Sequence, residues 1–527
     1  MTTTRPRSTV RYELTGTLRA LTPLHIGSLT GDLVDRPVAL DGQGRALIPG
    51  SSLAGALRSA CERASDLAGL SAEASTRLWG SRNTADEGAA AGFVTVDDAT
   101  GQDLVLPEVR SSTSIDRRRG VAADGTLRSA EVLPRGTSFA FRVLVAEPSG
   151  REGDGAALAA LIEGVLTGPG LRLGAATTRG LGHVVLEGAR RTRRDLGSRA
   201  GLLAALEGRE PDVLQAPVEV GAAPGTLRVT VPWRARGPVM TSLRVQGAAA
   251  DTVPLTSRDA LDGSVRFLLP GSSIKGALRS QAERIVRTLT GSEAPSDHLE
   301  GMAGPPAVVA LFGRPAQDDA AGTGSSDDPG QQGRKGALVV QDSMSERAVP
   351  GARWREVLRA AHDPGTGPVP PLTGALCEAL DGPGELRSVT RVALDRWTGG
   401  AADGALWTVV EPHLTGPGQW RPIELVLDLE RAGDEAEAAL ALLLLVLVDL
   451  CEGWFGLGYG QTRGYGSVEV DPGQVRFDLD PGTAPRSLAE VAQELAGASL
   501  TGVRANGTVQ EWSVRVLAAL AGQGVGL

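Results

Sequence analysis

The sequence predicts an α+β fold, built twice in one chain as antiparallel sheets with helices on one face. Three observations predict it. Two nearly identical strings, "IPGSSLAGALRS" (48–59) and "LPGSSIKGALRS" (269–280), each read as the start of an amphipathic helix. Each is preceded by a strand-like alternation, "RYELTGTLRAL" and "LRVTVPWRAR". Each is followed, far downstream, by a glycine-rich turn running into a second alternating stretch, "GAATTRGLGHVVLEG" (174–188) and "GYGQTRGYGSVEVD" (458–471). Alternation of period two marks strands, and apolar spacing of three and four marks helices.

The helix after the first "PGSS" places Leu53, Ala56, Leu57, Ala60 and Cys61 on one stripe, and its twin repeats this with Ile274, Ala277, Leu278, Ala282 and Ile285. Further matched pairs fall in the same order. "LWGS" (78–81) leads to "GFVTVDD" (92–98), and "LFGR" (311–314) leads to "GALVVQD" (336–342), strands that end in Asp97/Asp98 and Asp342. "VRSSTSIDR" (109–117) then matches "LRSVTRVALDR" (386–396). Four matched blocks in one order make a tandem duplication. The first module spans 1–192, a linker 193–224 carries a short amphipathic "LLAALEG", and the second module spans 225–475. The Gly/Ser/Asp-rich stretch 315–335 reads as a disordered insertion, and 476–527 as a C-terminal extension containing a helix at "SLAEVAQELAG". Strand, helix, strands, helix, strand within each module is a ferredoxin-like order.

Composition bounds the function. With 527 residues the chain is long enough for two cores. Three single cysteines (Cys61, Cys377, Cys451) make neither a disulfide framework nor a CxxC site, which fits a reducing cytoplasm. The N-terminus has no apolar core of a signal peptide, and "AALALLLLVLVDL" (438–450) is too short to span a bilayer and reads as a buried helix. The net charge of −9 argues against a free-standing nucleic-acid binder, although "DRRRG" (116–120) and "RRTRR" (190–194) are basic islands.

The chemistry open to these pieces is narrow. Serines at a helix start either cap it or help its free N–H groups hold an anion; Arg58, Lys275 and Arg279 nearby favour the anion. A nucleotide P-loop is excluded, because Lys275 precedes Gly276 instead of following a glycine. The glycine turns follow an apolar helix and precede a strand, the reverse of a dinucleotide fingerprint. They are either purely structural or, with Arg179 and Arg463 recurring inside them, polyanion contacts. The five histidines form no HxxxH, and there is no GxSxG elbow. Carboxylate chemistry remains. A lone Asp precedes a proline in the loop before each "PGSS" helix, Asp35 in "DRP" and Asp251 in "DTVP", which is either a turn former or a functional group.

Together these strings resemble the RAMP superfamily, in particular the repeated backbone subunits of type III CRISPR effector complexes. The carriers are "LHIGS" (24–28), the two "PGSS" helices, "RSSTSIDR" and "RSVTRVALDR", and the "TRGLG" and "TRGYG" turns. The resemblance covers most of 9–475 and implies two RRM-like modules, each with a thumb hairpin, near 110–140 and 387–420. It implies that the chain holds guide RNA (crRNA) alongside other effector subunits. A complementary target RNA would be cleaved at one or two sites by a loop aspartate with transient Mg2+ or Mn2+. The implied catalytic and metal residues are Asp35 and Asp251. Asp259 and Asp262 are rivals in the second module, whose loop is longer and which has "GPVMTS" where the first has "LHIGS". The implied RNA contacts are Ser51, Ser52, Arg58, Ser272, Ser273, Lys275 and Arg279 on the helices. Arg179, Gly180, Arg463 and Gly464 add the turns, and Arg117, Arg118, Arg396 and Trp397 the thumbs. The fused pair resembles the multi-module variants of subtype III-D. Three other readings stand beside this one: a scaffold with inert aspartates, a guide-processing endoribonuclease of the same superfamily, and a duplicated sugar- or nucleotide-binding protein.

Overall fold

The alternation in the first eleven strand residues is realised as β1 (Val10–Ala20), which buries Tyr12, Leu14, Leu18 and Ala20 on one face. The computed structural model describes residues 9–28, 34–81, 89–215, 217–221, 223–245, 247–296, 304–315, 333–363, 370–381 and 385–522. Most of the expected insertion, 316–332, lies outside the described residues.

In the first module β1 leads to α1 (Gly50–Arg63), then β2 (Val94–Val96). A hairpin follows, β3 (Glu108–Ser112) and β4 (Arg128–Val132), and then β5 (Ser138–Ala146). The module continues through α2 (Asp154–Thr167) and β6 (His183–Asp195). The sheet order is β6-β1-β5-β2 with antiparallel pairing throughout, the interleaved order of a ferredoxin-like fold. Helices α1 and α2 put Leu53, Leu57, Leu158, Ile162 and Leu166 onto Leu14, Leu18, Phe141 and Val143 of the sheet. The segment expected to be a linker is built into this module: after α3 (Arg199–Leu206), β7 (Asp212–Leu214) pairs with β6 and extends the sheet by a strand. The island at 190–194 is largely taken up there. Arg191 pairs with Glu163 at 2.7 Å, both buried, while Arg190 pairs with Glu210 at 3.1 Å.

The second module repeats the plan. β8 (Thr226–Val231) is followed by β9 (Thr252–Pro254), β10 (Val265–Leu269), α4 (Gly271–Thr290) and β11 (Leu338–Val340). A long hairpin, β12 (Leu386–Leu394) and β13 (Ala401–Pro412), precedes β14 (Ile423–Asp428) and α5 (Ala436–Glu452). Helix α5 is buried on nearly every side, as a run so rich in apolar residues must be inside a protein core. The last strand, continuous in the first module, is broken here into β15 (Val468–Glu469) and β16 (Arg476–Asp478) around "DPG" (471–473). The sheet order β16-β8-β14-β11 is the same interleaved order. The C-terminal extension supplies β16, then α6 (Ala489–Leu495), α7 (Leu500–Ala505) and α8 (Gly507–Gly522), whose Val491, Leu495, Leu500, Trp512 and Leu520 join the second core.

Two compact units result, 1–110 with 129–177 and 181–223, and 111–128 with 178–180 and 224–527. The tip of the first hairpin and the "TRG" of the first turn thus group with the second unit. Among the described residues, no helix is long and apolar enough to cross a membrane.

Candidate functional site

The two loop aspartates occupy equivalent places, each beside the returning strand of its module's hairpin. In the first module, residues 35–36 run parallel to β4. Arg36 N–H donates to the Ser129 carbonyl at 3.2 Å and accepts, through its own carbonyl, from Glu131 N–H at 2.9 Å. The Asp35 carboxylate accepts from Ser129 N–H at 2.7 Å and from the Ser129 hydroxyl at 2.9 Å. In the second module, Thr252 pairs in parallel with Val409 of β13, Asp251 N–H donates to the Thr408 carbonyl at 2.9 Å, and the Asp251 carboxylate accepts from Thr408 N–H at 2.7 Å. A backbone N–H aimed at a carboxylate fixes its orientation. Asp259 and Asp262 do not share this place. They stabilise the turn after residue 258, accepting from Leu261 N–H at 3.0 Å and Ser264 N–H at 2.8 Å. Asp251 is therefore the positional twin of Asp35.

The helix starts are capped differently from what their serines suggest. Pro49 and Pro270 are the N-cap residues and no side chain at the cap position bonds to either helix. Instead Asp98 accepts from Gly50 N–H at 2.6 Å, and Asp342 accepts from Gly271 N–H at 2.8 Å. These are the carboxylates at the ends of the following strands, placed on the positive end of the helix dipole. Both glycines are required, since a Cβ would lie 2.4 Å from the Val96 carbonyl at Gly50 and 2.3 Å from the Val340 carbonyl at Gly271. The hydroxyls of Ser51 and Ser52 face solvent, while Ser272 and Ser273 are half-buried.

The basic residues divide into two groups. Lys275 is a correction: it is 6% exposed, and its ammonium donates to the Leu338 carbonyl at 2.6 Å and the Thr178 carbonyl at 3.4 Å. It lies on the helix face shared with Leu278 and Ala282, so it is directed at the sheet and not at a phosphate. Burial, reinforced by Arg179, Arg279, Lys335 and Arg431, pulls its pKa down to about 7. Arg58 and Arg279 are drawn into i,i+4 pairs with Glu62 at 2.9 Å and Glu283 at 2.7 Å. Arg117 also pairs with the buried Glu283, at 3.1 Å. On the surface lie Arg118, Arg396, Trp397, Arg179, Arg463 and Gly464, while Gly180 is buried. The Arg463 guanidinium lies 5.0 Å from the Tyr459 ring centre.

The turn glycines are required by close backbone approach. At Gly174 (φ 75°) a Cβ would sit 2.1 Å from the His25 carbonyl, and at Gly458 (φ 85°) 2.4 Å from that of Met240. A groove of about 490 Å3 in the second unit went unread in the sequence; it gathers Arg117, Arg284, Arg287, Trp454 and Gln461. The signal for it was "EGW" immediately before the glycine run, an aromatic at a helix end that no core stripe needs.

Among the described residues no three His, Cys, Asp or Glu side chains gather as a metal cage. A Mg2+ or Mn2+ ion that keeps several waters would need from the protein no more than one carboxylate per module, Asp35 or Asp251.

The RAMP superfamily model matches residues 17–185 and 226–469, one match per module. No curated protein matches the chain. With both matched stretches built on the same interleaved sheet, the chain belongs to the RAMP superfamily, which includes CRISPR-associated RNA-binding proteins, as a double RAMP protein.

Proposed function

We propose that this chain is a guide-RNA-holding backbone subunit of a type III CRISPR effector complex, and that it cuts complementary target RNA at two positions, through Asp35 and Asp251. The observation that carries this reading is the repeated constellation itself. In each module a loop carboxylate is clamped by a strand N–H at 2.7 Å at the foot of a hairpin. A turn former has no need of a partner 94 or 157 residues away.

RNA carries its own nucleophile. Where a hairpin splays the backbone, the 2′-oxygen, phosphorus and 5′-oxygen can come into line. The 2′-O–P bond forms, the P–O5′ bond breaks, and the products are a 2′,3′-cyclic phosphate and a 5′-hydroxyl. The aspartate accepts the 2′-hydroxyl proton directly or through a water, and the leaving oxygen takes a proton from solvent. A divalent ion held between Asp35 or Asp251 and the RNA phosphate would supply charge neutralisation. The exposed Ser51, Ser52, Arg179, Arg463, Gly464, Arg118, Arg396 and Trp397 are the proposed RNA contacts. With a net charge of −9, the isolated chain is expected to bind RNA weakly and to depend on partner subunits.

The test uses the assembled complex with a defined guide, an end-labelled complementary RNA and Mg2+. Asp35→Ala and Asp251→Ala should each erase a different product band, and the double variant both. A ladder that survives both changes would leave the chain as a scaffold and place the cutting elsewhere.

A further inference from the structure

The second hairpin has a reverse face that the cleavage chemistry leaves unused. Side chains alternate across a strand, so Trp407, Val409 and Glu411 of β13, with Arg391 opposite Trp407 on β12, point away from the face of Thr408. Glu411 is 4% exposed, and a buried carboxylate persists only when paired. Arg391 meets it at 3.2 Å, and His413 Nε2 lies 3.1 Å from its other oxygen. The Arg391 Nε donates to the Tyr465 hydroxyl at 3.1 Å, and its guanidinium lies 4.9 Å from that ring's centre. Tyr465 is 3% exposed and belongs to the glycine turn. It packs with Met240 and Val409 and stands edge-on to Tyr459 at 5.6 Å. Burial and the nearby Glu411 carboxylate push the Tyr465 pKa up to about 12, so the phenol keeps its proton while its oxygen accepts from Arg391.

Arg391 on β12 thus bridges Tyr465 of the turn and Glu411 of β13 by hydrogen bonds, joining both hairpin strands and the turn beside the stretch of β13 that contains Thr408. We propose that Arg391 and Tyr465 are positioning residues for the second site: they lock the hairpin to the glycine turn, so that Thr408 N–H stays aimed at Asp251. This rests on the reading that Asp251 takes part in target cleavage. Among the described residues the first module has no such brace. Leu181 stands in the turn position of Tyr465, Ala175 in that of Tyr459 and Val132 in that of Glu411. There His25, in the place of Met240, bonds through Nδ1 to the Glu131 carbonyl at 2.6 Å.

The two sites in one chain make the test self-controlled. Single-turnover cleavage by the assembled complex at saturating target gives a rate for each position from the same molecules. Tyr465→Phe keeps the packing and should slow the second cut by about tenfold. Arg391→Ala should slow it by about 100-fold, the scale of a misplaced catalytic group. Arg391→Lys, which keeps a charge beside Glu411, should recover part of that loss. The first cut should stay within about twofold throughout, and target affinity should not change. Equal rates in wild type and Tyr465→Phe, or equal slowing of both cuts, would overturn the brace while leaving the cleavage reading intact. If the wild-type complex makes no cut that depends on Asp251, the cleavage reading fails for the second module and the positioning role fails with it.

Discussion

The hairpin of the first module is anchored by a histidine on a carbonyl and by Glu131, whose carboxylate accepts from Val38 N–H at 3.0 Å. That of the second is anchored by two tyrosines, a methionine and an arginine–glutamate pair. Yet the aspartate at the foot of each accepts a strand N–H at the same 2.7 Å, and each "PGSS" helix is capped by a carboxylate from the strand after it. At these places what the modules share is contact with the backbone, and what they do not share is the set of side chains packed behind each hairpin. A duplicated fold can exchange His25 for Met240 or Leu181 for Tyr465 one pocket at a time. A carboxylate aimed at a peptide N–H, or a glycine whose α-carbon touches a carbonyl, leaves no such freedom.

The largest effect expected from that distinction is at the turn glycines. Gly174→Ala and Gly458→Ala each force a Cβ to within 2.4 Å of a carbonyl oxygen at positive φ and should destabilise their own module by about 4 kcal/mol. Gly464 has a φ of 85°, but a Cβ there would meet nothing within 4 Å, so Gly464→Ala should cost only the left-handed strain, about 1–2 kcal/mol. Hydrogen exchange resolved by module reads both quantities. Similar losses at Gly458 and Gly464 would mean that the close approach at Gly458 relaxes freely.

A smaller and pH-dependent difference separates Lys275 from Ala54, its counterpart in the first helix. An ammonium whose folded pKa is pulled from an ordinary value near 10.4 down to about 7 makes the unfolded chain bind more protons between those values. The second module should therefore gain stability as pH rises from about 7 towards 10, and the full burial cost should be present below 7. Lys275→Met should be the more stable protein at pH 6.5, with an advantage that shrinks by about 2–3 kcal/mol by pH 10. Denaturant midpoints of the two proteins across that range would decide it. A constant gap would show that the ammonium keeps enough solvent to stay charged.

The sequence revealed the strand and helix order because alternation and the three–four spacing are local, and the duplication made each element visible twice. It misread the contacts that join distant segments. Ser51 and Ser272 looked like caps, whereas the caps come from Asp98 and Asp342, 48 and 71 residues beyond the glycines they bind. Lys275 looked like a phosphate ligand because charge outweighed its place beside Leu278 on the helix. The choice among Asp251, Asp259 and Asp262 was open because only the hydrogen bond to Thr408 separates them. The expected linker and C-terminal extension each contribute an edge strand, β7 and β16, too short to stand out from turns in the sequence.

The hairpin tips offer the smallest and most specific contrast. Asp116 and Asp395 build the same turn: each carboxylate accepts two N–H groups, from Arg118 and Arg119 at 2.8 Å and from Trp397 and Thr398 at 2.7 and 2.9 Å. Each turn closes on a glycine of positive φ, Gly120 at 68° and Gly399 at 71°. One scaffold thus presents two arginines in the first hairpin and a 97% exposed tryptophan in the second. Arginines hold phosphate and release counterions, and an indole stacks on a base and does not. In the assembled complex, Trp397→Ala should weaken target binding by about 1–3 kcal/mol at every salt concentration. Arg118→Ala with Arg119→Ala should flatten the slope of log affinity against log salt by about 1.4, at roughly 0.7 per phosphate contact. Affinities measured from low to high salt separate the two. If Trp397→Ala changes the slope, or the arginine pair shifts affinity without changing it, the tips do not grip RNA by these two chemistries, and their shared turn is only a way of closing a hairpin.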